Sequence, residues 1–194
     1  MNLKTGYTTG VHTLFAFKSA LEGFLYTHGN CFSKTIKNDN DDLDVTKGCE
    51  IVVSIQNHRF TILNPTYHKP HIFKFKTNII KIYAGVGVGV VTKKGLKISP
   101  NYPAINPVPL NALKNCFEKF TKNYQYLNLY CSISVTDGEK IAKQTANAKV
   151  GVVGGISILG TTGFVKPISA IAYLDSIKTE INFIKENGFK VIIF

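Results

Sequence analysis

The chain has 194 residues, 44% of them hydrophobic and 18% charged, and its 23 Lys and Arg against 12 Asp and Glu give a formal charge of +11. Such a composition is that of a folded globular chain, long enough for one sizeable core or two small ones. It excludes a membrane span, since no run approaches the ~18 apolar residues one requires. No apolar segment ending in a small-residue cleavage site follows the first lysine, so no secretory signal is read there and a cytoplasmic protein without membrane contact is expected.

The four cysteines, Cys31, Cys49, Cys116 and Cys131, form no C-x-x-C pair, which points to reduced structural thiols and to no metal site. A basic surface gathers anions. Arg59 is the one arginine, whereas duplex readers favour arginine for bidentate contacts, so nucleic acid is not the expected partner. A small molecule with several carboxylates fits the charge as well, and a codon bias toward lysine is the alternative source of part of it.

In chain order, Leu14, Phe17, Leu21, Phe24 and Leu25 recur at helical spacing and predict an amphipathic helix over 11–27, with Thr8 or Thr9 as its cap. A polar stretch follows. Strands are predicted over 49–55, 59–63, 72–75 and 79–83, as an antiparallel or mixed sheet. The prolines of 99–108 hold that stretch extended, and a helix is predicted over 110–122. Strands follow over 126–135 and, largely buried, 150–159. A long amphipathic helix over 168–188 ends at Gly188, and 189–194 reads as a strand of the continuous apolar kind found in parallel sheets. The expected architecture is an α+β domain over 1–166 with a mixed or antiparallel sheet, then the start of a truncated, Rossmann-like α/β domain over 167–194.

Several stretches invite a chemical reading. In "GYTTG", Thr8, Thr9 and Gly10 cap the first helix or bind an anion through free amides. In "DNDDLD", the spacing of Asp39, Asp41, Asp42 and Asp44 suggests calcium, but the loop lacks the glycine and closing glutamate of an EF-hand, leaving a solvated turn. "GVGVGV" lacks the G-x-G-x-x-G spacing, is not followed by a helix, and reads as a glycine-rich strand or a close backbone approach. Asn106, in "PAINPVP", offers both amide faces to a ligand or to a turn. Gly160, Thr161, Thr162 and Gly163 form the exit of an apolar strand, either a tight turn or a set of bare amides and hydroxyls for an anionic group. His68 and His71 read as a surface turn, and no pair of the five histidines has metal-ligand spacing.

Taken in order, "GYTTG", "DDLDVTKG", "GVGVGVVTKKGL" with "PAINPVP", and "GISILGTTG" resemble the cobalt-precorrin-5B C(1)-methyltransferase family of anaerobic cobalamin biosynthesis. The resemblance covers most of this chain and about the first half of the family's usual length. It implies methyl transfer from S-adenosylmethionine to carbon 1 of a cobalt-bound, polycarboxylate tetrapyrrole, chemistry that needs alignment of donor and acceptor more than acid–base groups. It also carries Asp41, Asp42, Asp44 and Thr46 into the substrate- or cofactor-binding set, beside Thr8, Thr9, Gly10, Asn106 and Gly160, Thr161, Thr162 and Gly163. No catalytic residue is assigned, and a homo-oligomer is left open. Val86 and Val90 stand where the family has a glutamate and an arginine, His12 where it has a cysteine and Lys47 where it has a histidine. A non-catalytic corrinoid or anion binder is the alternative.

Overall fold

The computed structural model describes residues 3–59, 61, 63–167 and 170–189, with backbone alone at 170–172. In chain order the elements are β1 (Gly6–Tyr7), α1 (Thr9–Thr27), β2 (Cys31–Ile36), β3 (Glu50–Gln56), β4 (His71–Phe75), β5 (Asn78–Ala84), β6 (Gly87–Val88) and β7 (Val90–Val91). There follow α2 (Pro107–Phe120), β8 (Asn128–Val135), α3 (Gly138–Ala142), β9 (Val152–Val153), β10 (Gly155–Ile156), β11 (Phe164–Val165) and α4 (Ala170–Glu186).

A mixed five-stranded sheet, in the order β2-β3-β8-β5-β4, organises the chain. Within this sheet only β5 and β8 run parallel, a pairing that needs a long crossover, and α2 lies in that connection. Period-two alternation puts Ile51, Val53 and Ile55 of β3, Ile80 and Ile82 of β5, and Leu129, Cys131 and Ile133 of β8 in the core. The helices cover that face with Phe17, Leu21 and Phe24 of α1 and Leu113 and Phe117 of α2. Removing these side chains from water supplies the main drive to fold, about 25 cal/mol per Å² of apolar surface. A smaller cluster joins Val91, Ile98, Ala104, Val150 and Val152 to Phe183 of α4. Among the described residues no helix is long and apolar enough to cross a membrane.

The α+β architecture with a mixed sheet agrees with expectation, but several elements differ. Helix α2 begins at Pro107, earlier than the predicted 110, because Asn106 is its N-cap and the prolines occupy its first turn, where a missing N–H leaves no bond unmade. The predicted strand over 150–159 is broken into β9 and β10 by Gly154, whose φ of +86° turns the chain. The pieces find different partners: β9 pairs with β7 and β10 with β6. Strand β2 falls in the stretch read as polar, since its residues are half-buried or exposed in alternation. Arg59, Thr61 and Leu63 lie in no strand, and the remainder of the predicted 59–63 strand, like 190–194 of the final one, lies outside the described residues.

Candidate functional site

The site is built where residues 6–10 meet residues 159–165. Gly6 pairs with Val165 and Tyr7 with Phe164, so β11 lies along the approach to α1. The Thr8 amide donates to the Gly163 carbonyl at 3.0 Å and the Gly10 amide to the Leu159 carbonyl at 2.8 Å. Thr9 closes the junction: its hydroxyl oxygen accepts from the Leu159 amide at 2.8 Å, and the hydroxyl lies 3.3 Å from the Leu159 carbonyl. One residue back, the Ile158 carbonyl accepts from the Asn106 amide at 3.0 Å. Thr8, Thr9, Gly10, Asn106, Gly160 and Gly163 are thereby gathered around the starts of α1 and α2. Thr162 follows its own turn, its hydroxyl donating to the Phe164 carbonyl at 3.2 Å, while Thr161 is exposed.

Glycine makes this closeness feasible. A methyl on Gly10 would sit 2.8 Å from the Leu159 carbonyl and 2.9 Å from Pro109 Cβ, and one on Gly160 would overlap the Thr8 hydroxyl. "GVGVGV" joins the same assembly through backbone. The Gly89 amide donates to the Ile156 carbonyl at 2.8 Å and the Ala104 amide to the Gly89 carbonyl at 2.8 Å. This is the close backbone approach anticipated for that stretch.

The amides at the start of α1 are largely engaged. Val11 N–H donates to the Thr8 hydroxyl at 3.4 Å, and the loop carbonyls take those of Thr8 and Gly10. Prolines at 107 and 109 remove two more donors from α2. What the helix starts still offer is field: neither first turn holds an acidic residue, so no local carboxylate offsets the positive end of either dipole. The side chain of Asn106 makes no cap hydrogen bond and adds a polar group there. Between the helices Thr8, Gly10, Val11, Leu14, Val108, Pro109, Ala112, Gly160 and Gly163 line a shallow, solvent-open depression of about 260 Å³.

The acidic loop divides into two parts. Asp41 is tied to the strand approach: it accepts from the Lys4 amide at 2.6 Å, and its own amide donates to the Lys4 carbonyl at 3.0 Å. The Asp42 amide donates to the Asn40 side chain at 3.0 Å. Asp44 and Thr46 turn inward. The Asp44 carboxylate pairs with the ammonium of Lys37, a side chain only 1% exposed, and accepts from the Thr46 amide at 2.9 Å and hydroxyl at 2.5 Å. Burial pushes the Asp44 carboxyl pKa up, but the bonds from Lys37 and Thr46 outweigh it and leave the pKa below its ordinary value. Asp44 and Thr46 are thus occupied in holding Lys37 and the loop.

Residues not singled out from sequence complete the region. The Asn38 side-chain oxygen accepts from the Tyr7 amide at 3.1 Å and lies 2.9 Å from Nε2 of the buried His12. Tyr7, Phe15 and Phe164 form a contiguous ring cluster over this pair. Only tertiary contacts reveal Asn38 and bring the three rings together. His68 is buried rather than in a surface turn: its Nε2 accepts from the Ala84 amide at 3.1 Å, and Nδ1 lies 2.9 Å from the Thr66 carbonyl. His71 stacks on Tyr102 at 5.2 Å, with Nε2 3.0 Å from the Pro103 carbonyl.

The profile of the CbiD family matches residues 24–167. A cobalt-precorrin-5B C(1)-methyltransferase of Methanococcus maripaludis strain C5 is 38% identical over 86% of this chain and 42% of its own length. One from Geobacter metallireducens is 36% identical over 92% of this chain and 45% of its own length. The crystal structure of a cobalamin biosynthesis protein (cbiD) from Archaeoglobus fulgidus is similar over 91% of this chain and 59% of that one, with a TM-score of 0.58 and 26% identity. The chain therefore spans less than half the length of these curated relatives.

Proposed function

This chain belongs to the CbiD family, and from that premise we propose that it serves the methylation of carbon 1 of cobalt-precorrin-5B in the cytoplasm, with S-adenosylmethionine as donor. Its part is to hold the polycarboxylate cobalt tetrapyrrole at the end of the fold where the motifs meet. The observation that carries the reading is the hydrogen-bonded convergence of "GYTTG", "PAINPVP" and "ILGTTG" around two helix starts free of acidic residues. Anionic arms are favoured there by the dipole ends and by the basic charge of the whole chain. Thr8, Asn106, Thr161, Thr162 and the edges of Gly160 and Gly163 are the groups we assign to contact the substrate, with Asp41 and Asp42 at the margin. Residues 1–166 form this binding unit in the proposal, and 167–194 open an α/β unit.

The depression is shallow and open to solvent, and it does not enclose a small ligand as sites of ~300 to 1,000 Å³ do. The described residues do not surround S-adenosylmethionine, and a tetrapyrrole would lie across them. That same fact favours a second reading, a corrinoid-binding chain that does not transfer methyl groups by itself. Calorimetric titration with a free-acid cobalt corrin and with S-adenosylmethionine, followed by assay of labelled methyl transfer to cobalt-precorrin-5B, separates the two. Binding of both with transfer supports the enzyme; corrin binding alone supports the second reading; binding of neither overturns both.

A further inference from the structure

Three aromatic rings from three separate segments lie together at the surface beside the helix starts. Tyr7 is 39% exposed, Phe15 48% and Phe164 52%. The Tyr7 centroid lies 5.4 Å from that of Phe164 and 6.0 Å from that of Phe15. Contiguous exposed apolar surface of this kind marks an interaction site more often than scattered single residues do. The rings are also braced from beneath. Tyr7 and Phe164 are partners in the β1–β11 register, the Tyr7 amide is held by Asn38, and the buried His12 packs edge-on to Tyr7 and Phe15 at 6.2 and 6.3 Å. A surface whose rings are fixed before binding loses little side-chain freedom on contact.

Resting on the functional reading above, we infer that Tyr7, Phe15 and Phe164 form the surface on which the flat apolar face of a tetrapyrrole ring rests, with Lys166 receiving one of its carboxylate arms. Charge and geometry favour this occupant. Lys166 lies two residues beyond Phe164, directly after β11, where continued extended backbone would put it on the same side. It is exposed and, among the described residues, makes no ion pair. The starts of α1 and α2, neither with an acidic residue in its first turn, share a depression with Gly160 and Gly163 just before Phe164. A ring face bordered by positive groups suits a macrocycle that is apolar in its plane and anionic at its rim; a free apolar segment would leave Lys166 and the dipole ends unanswered.

The test is absorbance titration of cobyrinic acid, a cobalt corrin with free carboxylate arms, against the native chain and the variants Phe164→Ala, Phe15→Ala, Phe164→Leu and Lys166→Gln. Circular dichroism and urea midpoints verify folding, and Phe164→Leu serves where alanine disturbs the β1–β11 pair. Each ring truncation is expected to weaken binding about tenfold, the scale of stacking on one aromatic side chain. Lys166→Gln is expected to weaken cobyrinic acid while leaving its amidated analogue cobinamide unchanged. Tyr26→Ala, at the far end of α1 and 88% exposed, is expected to bind as the native chain does. Native-like affinity in all three ring variants overturns the inference and leaves the functional reading standing; failure of the native chain to bind either corrin overturns both. A dimer that dissociates on Phe164→Ala with corrin affinity unchanged assigns the rings to self-association and overturns the inference alone.

Discussion

Thr9 and Leu159, 150 residues apart, are bound to one another through a single hydroxyl that accepts the Leu159 amide at 2.8 Å and lies 3.3 Å from the Leu159 carbonyl. Thr9 is buried, whereas Leu159 is 48% exposed, so only the threonine side of the bond is closed to water. Thr9→Val keeps the shape but removes the acceptor of the Leu159 amide, and the expected loss is about 1 kcal/mol of stability. Thr9→Ser retains the oxygen and is expected to lose less. Urea denaturation of the two variants measures the difference; equal midpoints would show that this hydroxyl does not fasten the loop to α1.

The backbone approach of β6 to its neighbours makes a sharper prediction. Gly87 has a φ of +77°, and a methyl placed there would overlap the Val135 carbonyl. Neither constraint is relieved by moving a side chain, so Gly87→Ala is expected to destabilise the fold by about 3 kcal/mol or more. Gly29→Ala, where the nearest atom would be 3.7 Å away, is expected to stay within about 0.5 kcal/mol of native. Thermal melts of the pair decide whether the glycines of "GVGVGV" serve packing.

Much of this was open to reading from the sequence because the physics is local. Alternation at Ile51, Val53 and Ile55 announces a strand with one buried face, and Thr8 before an apolar helical run announces a cap that the structure confirms. Other features depend on competition between local rules. Pro107 obeys the rule for the first turn of a helix and not the rule for an extended segment, and only the packing of Leu113 and Phe117 decides between them. The apolar run through Val152 and Ile156 looks continuous, yet Gly154 sends its halves to different partners. In the site, the motifs are visible but their meeting is not. Asn38 stands 31 residues from Tyr7 and 26 from His12, and among 23 basic residues nothing local distinguishes Lys37 as the buried one.

The Lys37–Asp44 pair predicts a defined acid sensitivity. The ammonium is almost wholly buried, and Asp44→Asn would leave it without a counter-charge, at a cost of about 3 to 5 kcal/mol. Adding Lys37→Met to that variant is expected to recover part of the loss, because no buried charge then remains. In the native chain the folded Asp44 has a pKa below the ordinary 3.8, so on acidification the unfolded chain takes up the proton first. The contribution is complete above the unfolded value and disappears as the pH falls through the folded one. Urea midpoints taken from about pH 6 to about pH 3 should fall less steeply in the double variant; parallel curves would refute the coupling.

His71 acts in a higher pH range. Burial lowers its pKa below the ordinary 6.5, the bond to the Pro103 carbonyl opposing and the neighbouring His68 assisting that shift. The neutral ring stacks on Tyr102, with Nε2 positioned to donate to Pro103, so the folded chain resists protonation that the unfolded chain accepts freely. Stability from this site is complete above pH 6.5 and is lost as the pH falls through the lower folded value. His71→Phe keeps the stack on Tyr102 and removes the titration. Its urea midpoint should therefore be lower than that of the native chain near neutrality, through the lost bond to Pro103, and the gap should narrow on acidification. A gap that stays constant from about pH 7 to about pH 5 would mean that the ring does not titrate differently in the folded and unfolded chains.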